Sequence, residues 1–224
     1  MKLANRYKAF LSHFRQHQPV GVTLLNYGTP FELLVAVILS AQCTDRRINE
    51  ITPGLFVAFP TPYHLAKAHF DEVFPYIRSV SYPNSKARYL IDMAGQLVRD
   101  FGGRVPDNVA DLEKLRGVGR KTAHVVLSTL YNRPVIAVDT HVFRVSRRLG
   151  LVSGNAHTPR AVENELMRHL PSRYRAKSHH WFISHGRNIC TALRPKCRVC
   201  PFSSWCLFGN GLAPKSAGSN RPSI

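Results

Sequence analysis

The chain has 224 residues, 44% of them hydrophobic, and carries 31 Lys and Arg against 13 Asp and Glu, a formal net charge of +18. That is enough apolar material for one large or two small cores, and the charge makes a polyanion the natural partner. Fibrous and membrane-bound readings are excluded: the longest apolar stretch, Leu33 to Leu39, is far too short to cross a bilayer, and Met1 to Val20 has no apolar core of a secretory signal.

Helical periodicity dominates the chain. Phe31 to Cys43 is apolar on all sides, as befits a central helix packed by others. Between Asn84 and Phe101, the residues Leu90, Met93, Ala94, Leu97, Val98 and Phe101 form a stripe on one helical face, with Asn84 or Ser85 as N-cap and Gly102-Gly103 as terminator. Asp107 to Leu115 opens on a Pro-Asp start signal and closes at Gly117. Further helices are expected at Arg120 to Tyr131, His141 to Leu149, Thr158 to Leu170 (Pro159 in the first helical position) and Ala176 to Ile189. No hairpin signal joins two alternating runs. Val135 to Val138 has no second strand to pair with and reads as an extended buried connector. The class is therefore all-α, and the stretch from Gly209 to Ile224, rich in Gly, Ser and Pro, is expected to be disordered.

The positive charge is concentrated. Residues 141–198 hold twelve Lys and Arg side chains against two acids, Glu163 and Glu165, which favours a nucleic-acid-facing surface over a merely solvated one. Ahead of it, Leu115-Arg116-Gly117-Val118-Gly119-Arg120-Lys121 reads as a helix, a tight turn and a new helix. The two glycines let the backbone turn sharply and approach a partner, and the new helix offers unpaired N–H groups and a positive dipole end to a phosphate. A plain turn between helices has the same pattern; the basic surface tips the balance to DNA backbone. Lys121 falls in the first turn of that helix, where the dipole disfavours an ammonium and so favours a nucleophilic amine, although a phosphate contact is the plainer reading. Asp139, directly after the apolar run Ile136-Ala137-Val138, is equally a helix N-cap or a catalytic carboxylate, and the two roles are compatible.

Four of the five cysteines lie within seventeen residues as Cys190-x6-Cys197-x2-Cys200-x5-Cys206. Four thiolates so close suit one metal or one cluster. Structural zinc normally uses two short Cys-x2–4-Cys knuckles, and only Cys197 and Cys200 form one, so the spacing favours an iron–sulfur cluster. Cys43, next to the apolar run, reads as a small buried hydrophobe without a role.

Taken together, the Gly117-Val118-Gly119 hairpin followed by Lys121, the Val138-Asp139-Thr140-His141 segment, the Leu39-Ser40-Ala41-Gln42-Cys43-Thr44-Asp45 helix end and the closing cysteine loop resemble the bacterial endonuclease III family, helix-hairpin-helix DNA glycosylases with a cluster loop, over about residues 5 to 208. The resemblance implies two helical domains flanking a DNA-binding cleft: a barrel-like domain over residues 22–134, and a domain joining residues 1–21 to 135–208 around a [4Fe–4S] cluster held by Cys190, Cys197, Cys200 and Cys206, followed by the tail at 209–224. It implies a bifunctional base-excision enzyme, a bacterial cytoplasmic monomer. This enzyme extrudes a damaged pyrimidine from double-stranded DNA, displaces it with the Lys121 amine, and cleaves the abasic site through a Schiff base, with Asp139 assisting. DNA contacts are implied at Gln42, Tyr82, Gly117, Gly119, Arg120 and His141.

Two departures stand out. Where the family has Leu-Pro-Gly, this chain has Leu115-Arg116-Gly117, which suggests an added phosphate contact; where it has a glycine and a wedge leucine, this chain has Ser81 and Tyr82. A tyrosine there resembles the adenine-mismatch relatives, but those lack the lysine and carry a further domain. Tyr82 is thus either a wedge that enters the duplex or a core aromatic held by Pro83. A DNA-binding module with a structural metal would account for the charge, hairpin and cysteines but leave Lys121 and Asp139 unexplained.

Overall fold

A computed structural model describes residues 1–17 and 23–211. All regular structure among them is helical: eleven α-helices, one short 3-10 turn and no strand. No helix among them is long and apolar enough to cross a membrane. Most of the expected disordered tail, residues 212–224, lies outside the described residues. Its first part is ordered, because the Asn210 side chain donates to the carbonyls of Ser203 and Cys206 (3.3 and 2.9 Å) and fixes the turn.

The chain divides into two compact units, one formed by Val22–Ala137 and the other by Met1–Gly21 with Val138–Ile224. The contiguous unit is built around α2 (Pro30–Leu39), where Phe31 and Leu33 through Leu39 are all buried. Thr29 caps α2 by accepting from the Glu32 N–H, and Pro30 supplies a preset first turn. The helix stops at Leu39, four residues before its expected end, and residues 40–43 form a turn. Around α2 stand α3 (Asp45–Ala58), α4 (Pro62–Ala66), α5 (Phe70–Ile77), α6 (Pro83–Phe101), α7 (Val109–Leu112) and α8 (Arg120–Leu130). Three of these, α3 to α5, have no counterpart in the periodicity reading. Pro53-Gly54 inside α3 and Pro75 inside α5 interrupt the pattern, and α4 is a single turn. The stripe of α6 is as expected: Leu90, Met93, Ala94 and Leu97 have no exposed surface. Its start is not. The helix begins at Pro83, and its N-cap is Tyr82 in a left-handed conformation.

The second unit assembles α1 (Leu3–His17) with α9 (Thr140–Leu149), α10 (Pro159–His169) and α11 (Ser172–Asn188). Its core is aromatic. Phe10 stacks on Phe182 at 4.6 Å between centroids, Phe14 lies nearly parallel to Trp181 at 5.5 Å, and Phe202 closes the group within 5.9 Å of Phe10. The Tyr7 hydroxyl donates to the Leu151 carbonyl at 2.6 Å and Arg6 to that of Gly150 at 2.9 Å, fixing α1 to the end of α9. Residues 135–138 hold no regular secondary structure, and Ile136 and Ala137 among them are buried, in line with a buried connector.

Candidate active site

The hairpin is organised by α6. Leu115 and Val118 are buried beneath it, while Gly117 turns with φ +79°, a conformation where a Cβ would also stand 3.0 Å from the Cβ of Tyr89. Gln96 clamps the turn from both sides, accepting from the Arg116 N–H at 2.7 Å and donating to the Lys114 carbonyl at 3.0 Å. A proline at position 116 could not make the first of these bonds. The Arg116 guanidinium lies over the Tyr89 ring at 5.2 Å, so this arginine braces the hairpin from its own domain while its side chain stays exposed. Gly119 is the N-cap of α8 and brings no side chain to cover its first N–H groups. Arg120, in the first position, faces Glu113 at 3.6 Å, and Lys121, in the second, is exposed. Buried His124, one turn further on, meets the Ile136 carbonyl at 3.2 Å and ties α8 to the buried connector.

Asp139 is the N-cap of α9. Its Oδ1 accepts from the Val142 N–H at 2.8 Å, and the side chain is half-buried. Around it lies a cationic and imidazole-rich surface. Burial lowers the pKa of His141, the Asp139 carboxylate pulls it back up, and Arg144 and Arg187 push it down again. Burial likewise drops His180 to about 4, with His179 adding to the effect and Asp139 opposing it. Arg144 bonds the carbonyls of Gly186 and Cys190 and the His141 ring, at 3.0, 3.2 and 3.1 Å, which holds α9 against α11.

Gln42 and Tyr82 occupy two turns of the contiguous unit. Both are exposed and both adopt left-handed backbone, φ 59° and 57°, a conformation that non-glycine residues enter rarely. Tyr82 is 62% exposed, which rules out the core-aromatic reading. The turns are sewn together: Ser81 Oγ donates to the Gln42 carbonyl at 2.8 Å and the Ser81 N–H points at Cys43 Sγ at 3.1 Å. Cys43 is half-buried, a polar partner and not the inert hydrophobe expected. Lys86 was not anticipated at all, though it carries a visible signal: it lies four residues before Leu90 on the apolar face of α6, and it is 5% exposed.

All five cysteines are free thiols. Cys190 and Cys206 are buried, Cys197 opens the short 3-10 turn Cys197–Val199, and Cys200 is its C-cap. Burial is the main influence pushing the Cys200 thiol up to about 11; the Phe202 N–H opposes it, and the negative charges of Cys206, Cys190 and Cys197 add to it. Cys206 is raised in the same way, by burial and then by Cys190 and Cys197, against backbone N–H groups of Gly209 and Phe208. Four sulfurs that repel one another as thiolates fit a shared positive centre. Among the described residues no three His, Cys, Asp or Glu close around a single ion. Arg148 secures the loop, donating to the carbonyls of Thr191 and Ala192 at 2.7 and 2.8 Å while its guanidinium sits 4.2 Å from the Phe208 ring centre.

Comparison with known proteins agrees with these features. Residues 35–172 match the family model described as HhH-GPD superfamily base excision DNA repair protein. The chain is 44% identical over 193 residues to endonuclease III of Rickettsia conorii, covering 86% of this chain and 91% of that one. Against endonuclease III of Escherichia coli K12 it is 41% identical over 198 residues, covering 88% and 93%. A solved structure of a trapped endonuclease III–DNA covalent intermediate superposes with a TM-score of 0.88 at 38% identity, covering 94% of this chain and 99% of that one. The chain therefore belongs to the HhH-GPD superfamily of base excision DNA repair enzymes, in its endonuclease III family.

Proposed function

We propose that this DNA glycosylase removes oxidised pyrimidines from double-stranded DNA and then cleaves the abasic site on its 3′ side by β-elimination, acting as a cytoplasmic monomer. The observation that carries the reading is Lys121, an exposed amine in the second position of α8 just behind the glycine hairpin. The neutral amine attacks the sugar C1′, and the bond from C1′ to the base breaks with its electron pair leaving on the base. Loss of the amine proton and opening of the sugar ring give a protonated Schiff base. That cation makes a C2′ proton acidic; its removal pushes out the 3′ phosphate. Asp139 stabilises the positive sugar and accepts a proton. Arg120, His141 and the backbone N–H groups at Gly117 and Gly119 hold phosphates, which position the strand without reading its sequence. A solved relative at 38% identity was trapped as a covalent intermediate with DNA, which supports a mechanism through a nucleophile on the protein. Borohydride treatment with an oligonucleotide holding one abasic site should reduce the Schiff base and leave a covalent adduct. No adduct would remove the Lys121 Schiff base and leave a glycosylase without lyase activity.

Cys190, Cys197, Cys200 and Cys206 would hold a [4Fe–4S] cluster, which when bound would order the basic loop; no step of base excision requires its electrons. The purified protein should be yellow-brown with broad visible absorption, which zinc cannot produce because its d shell is full. Cys200→Ser should bleach that colour and weaken DNA binding through disorder of the loop. One zinc and no iron in protein prepared without oxygen would reject the assignment.

Gln42 and Tyr82 are proposed to enter the duplex, Gln42 bonding the orphaned base and Tyr82 stacking on a neighbour. Stacking is worth roughly 1–3 kcal/mol per base, so Tyr82→Ala should slow release of a damaged base from duplex by about ten- to a hundredfold. Being exposed, Tyr82 should leave the melting temperature almost unchanged, and cleavage of a single-stranded abasic site should suffer far less. Equal damage to both activities, with a large loss of melting temperature, would make Tyr82 a fold residue.

A further inference from the structure

Lys86 joins the two turns that carry Gln42 and Tyr82. Its Nζ donates to the Leu39 carbonyl at 2.8 Å and the Ala41 carbonyl at 2.7 Å, and lies 3.9 Å from Cys43 Sγ. Its own backbone N–H donates to the Tyr82 carbonyl at 3.1 Å. That main-chain bond is the first of α6 and any residue here would make it; what Lys86 adds is a side chain that reaches from the turn of α6 next to Tyr82 to the chain immediately before Gln42. Ser81 completes the stitch through the Gln42 carbonyl and Cys43 Sγ.

An ammonium removed from water is costly, and burial lowers the Lys86 pKa, with Cys43 opposing that shift. A leucine or methionine on this face of α6 would fill the space without that cost. What a hydrophobe cannot do is bind two carbonyls left without partners at the end of α2, where the negative end of the helix dipole also favours a cation. The gain falls on the turn beyond α2, whose Gln42 is in left-handed backbone, as is Tyr82 on the other side of the stitch. Neither conformation would persist unless the surroundings over-determined it.

We propose that Lys86 is a positioning residue for duplex invasion: it locks Gln42 and Tyr82 into one rigid, two-pronged unit, so that filling the helix does not require ordering each prong separately. The inference rests on the reading that these two side chains enter the duplex. Its test is a mutant cycle. Lys86→Met preserves length and volume and removes the donors. Single-turnover release of thymine glycol from a duplex should fall by about tenfold, the equivalent of ordering two side chains anew, while cleavage of a single-stranded abasic oligonucleotide should stay within about twofold. In a background already carrying Gln42→Ala and Tyr82→Ala, the same change should add almost nothing, because the prongs it positions are gone. A full tenfold loss in that background would overturn the proposal and make Lys86 a stability residue. No duplex-specific loss from Gln42→Ala with Tyr82→Ala would instead sink the reading beneath it. A loss in that pair with no effect of Lys86→Met would sink the positioning role alone. Should Lys86→Met not fold, Lys86→Leu, which also removes the donors and fits the apolar face of α6, is put through the same cycle with the same criteria.

Discussion

Lys121→Ala is expected to abolish both base release and strand cleavage, lowering each by about four orders of magnitude or more, as losses of a nucleophile do. The fold should not notice. Lys121 is exposed, and a cation in the first turn of α8 opposes the helix dipole, so its removal should change stability by no more than about 0.5 kcal/mol. DNA affinity should fall by less than about tenfold, since one cation is lost among many phosphate contacts and the slope of binding against salt changes by about one unit. Cleavage of abasic duplex and mobility-shift titration on the same preparation check the two halves. Normal cleavage by the variant, freed of contaminating nucleases, would end the Schiff-base mechanism.

Asp139→Asn should slow base release by about a hundred- to ten-thousandfold with a melting temperature close to that of the parent. The unchanged melting temperature comes from the cap. Asp139 accepts from the Val142 N–H at 2.8 Å, and asparagine is as good an N-cap as aspartate. Asp139→Ala removes cap and carboxylate together. It should cost about 1 kcal/mol of stability in addition, a shift of about 2–4 °C for a chain of this size. Comparing the two variants by calorimetry and by base release separates the structural duty of the residue from its chemical one. If Asp139→Asn kept full activity, the carboxylate would be a cap alone. The same substitution removes the charge that holds the pKa values of His141 and His180 up, so both should titrate at lower pH in the variant, which NMR of the ring protons would read.

The helices legible in the sequence are those whose pattern one strong signal dominates: the stripe of α6, the wholly apolar α2, and α10 with Thr158 capping and Pro159 leading. Of the helices without a counterpart in the sequence pattern, α4 is a single turn, while α3 and α5 hold an internal proline each and are stabilised by tertiary packing of a few residues, Ile48 and Leu55 in one, Val73 and Ile77 in the other. Motif spacing singled out Lys121, Asp139 and the four cysteines, because a helix start, an N-cap and a close run of cysteines are patterns local to the sequence. Roles made across the fold were invisible. Nothing in the sequence around Arg116 says that its N–H meets Gln96 and its guanidinium Tyr89. Lys86 shows only as a charge on an apolar face, and its carbonyl partners lie more than forty residues upstream. The left-handed backbone of Tyr82 was equally hidden, since Ser-Tyr-Pro-Asn reads as an ordinary cap.

The division of the chain has a consequence for how the protein is made. Val22–Ala137 is one uninterrupted piece and has all its core partners as soon as it leaves the ribosome. Helix α1 does not: Phe10 and Phe14 pack on Trp181, Phe182 and Phe202. At synthesis rates of about 5–20 residues per second, those aromatic faces wait roughly ten to forty seconds for their partners. During that interval a sticky amphipathic segment trails outside a finished neighbour. Nascent chains stalled once residue 137 has cleared the ribosome should have a folded middle and a protease-sensitive N-terminal segment, and slower translation should lengthen its exposure to holdase chaperones.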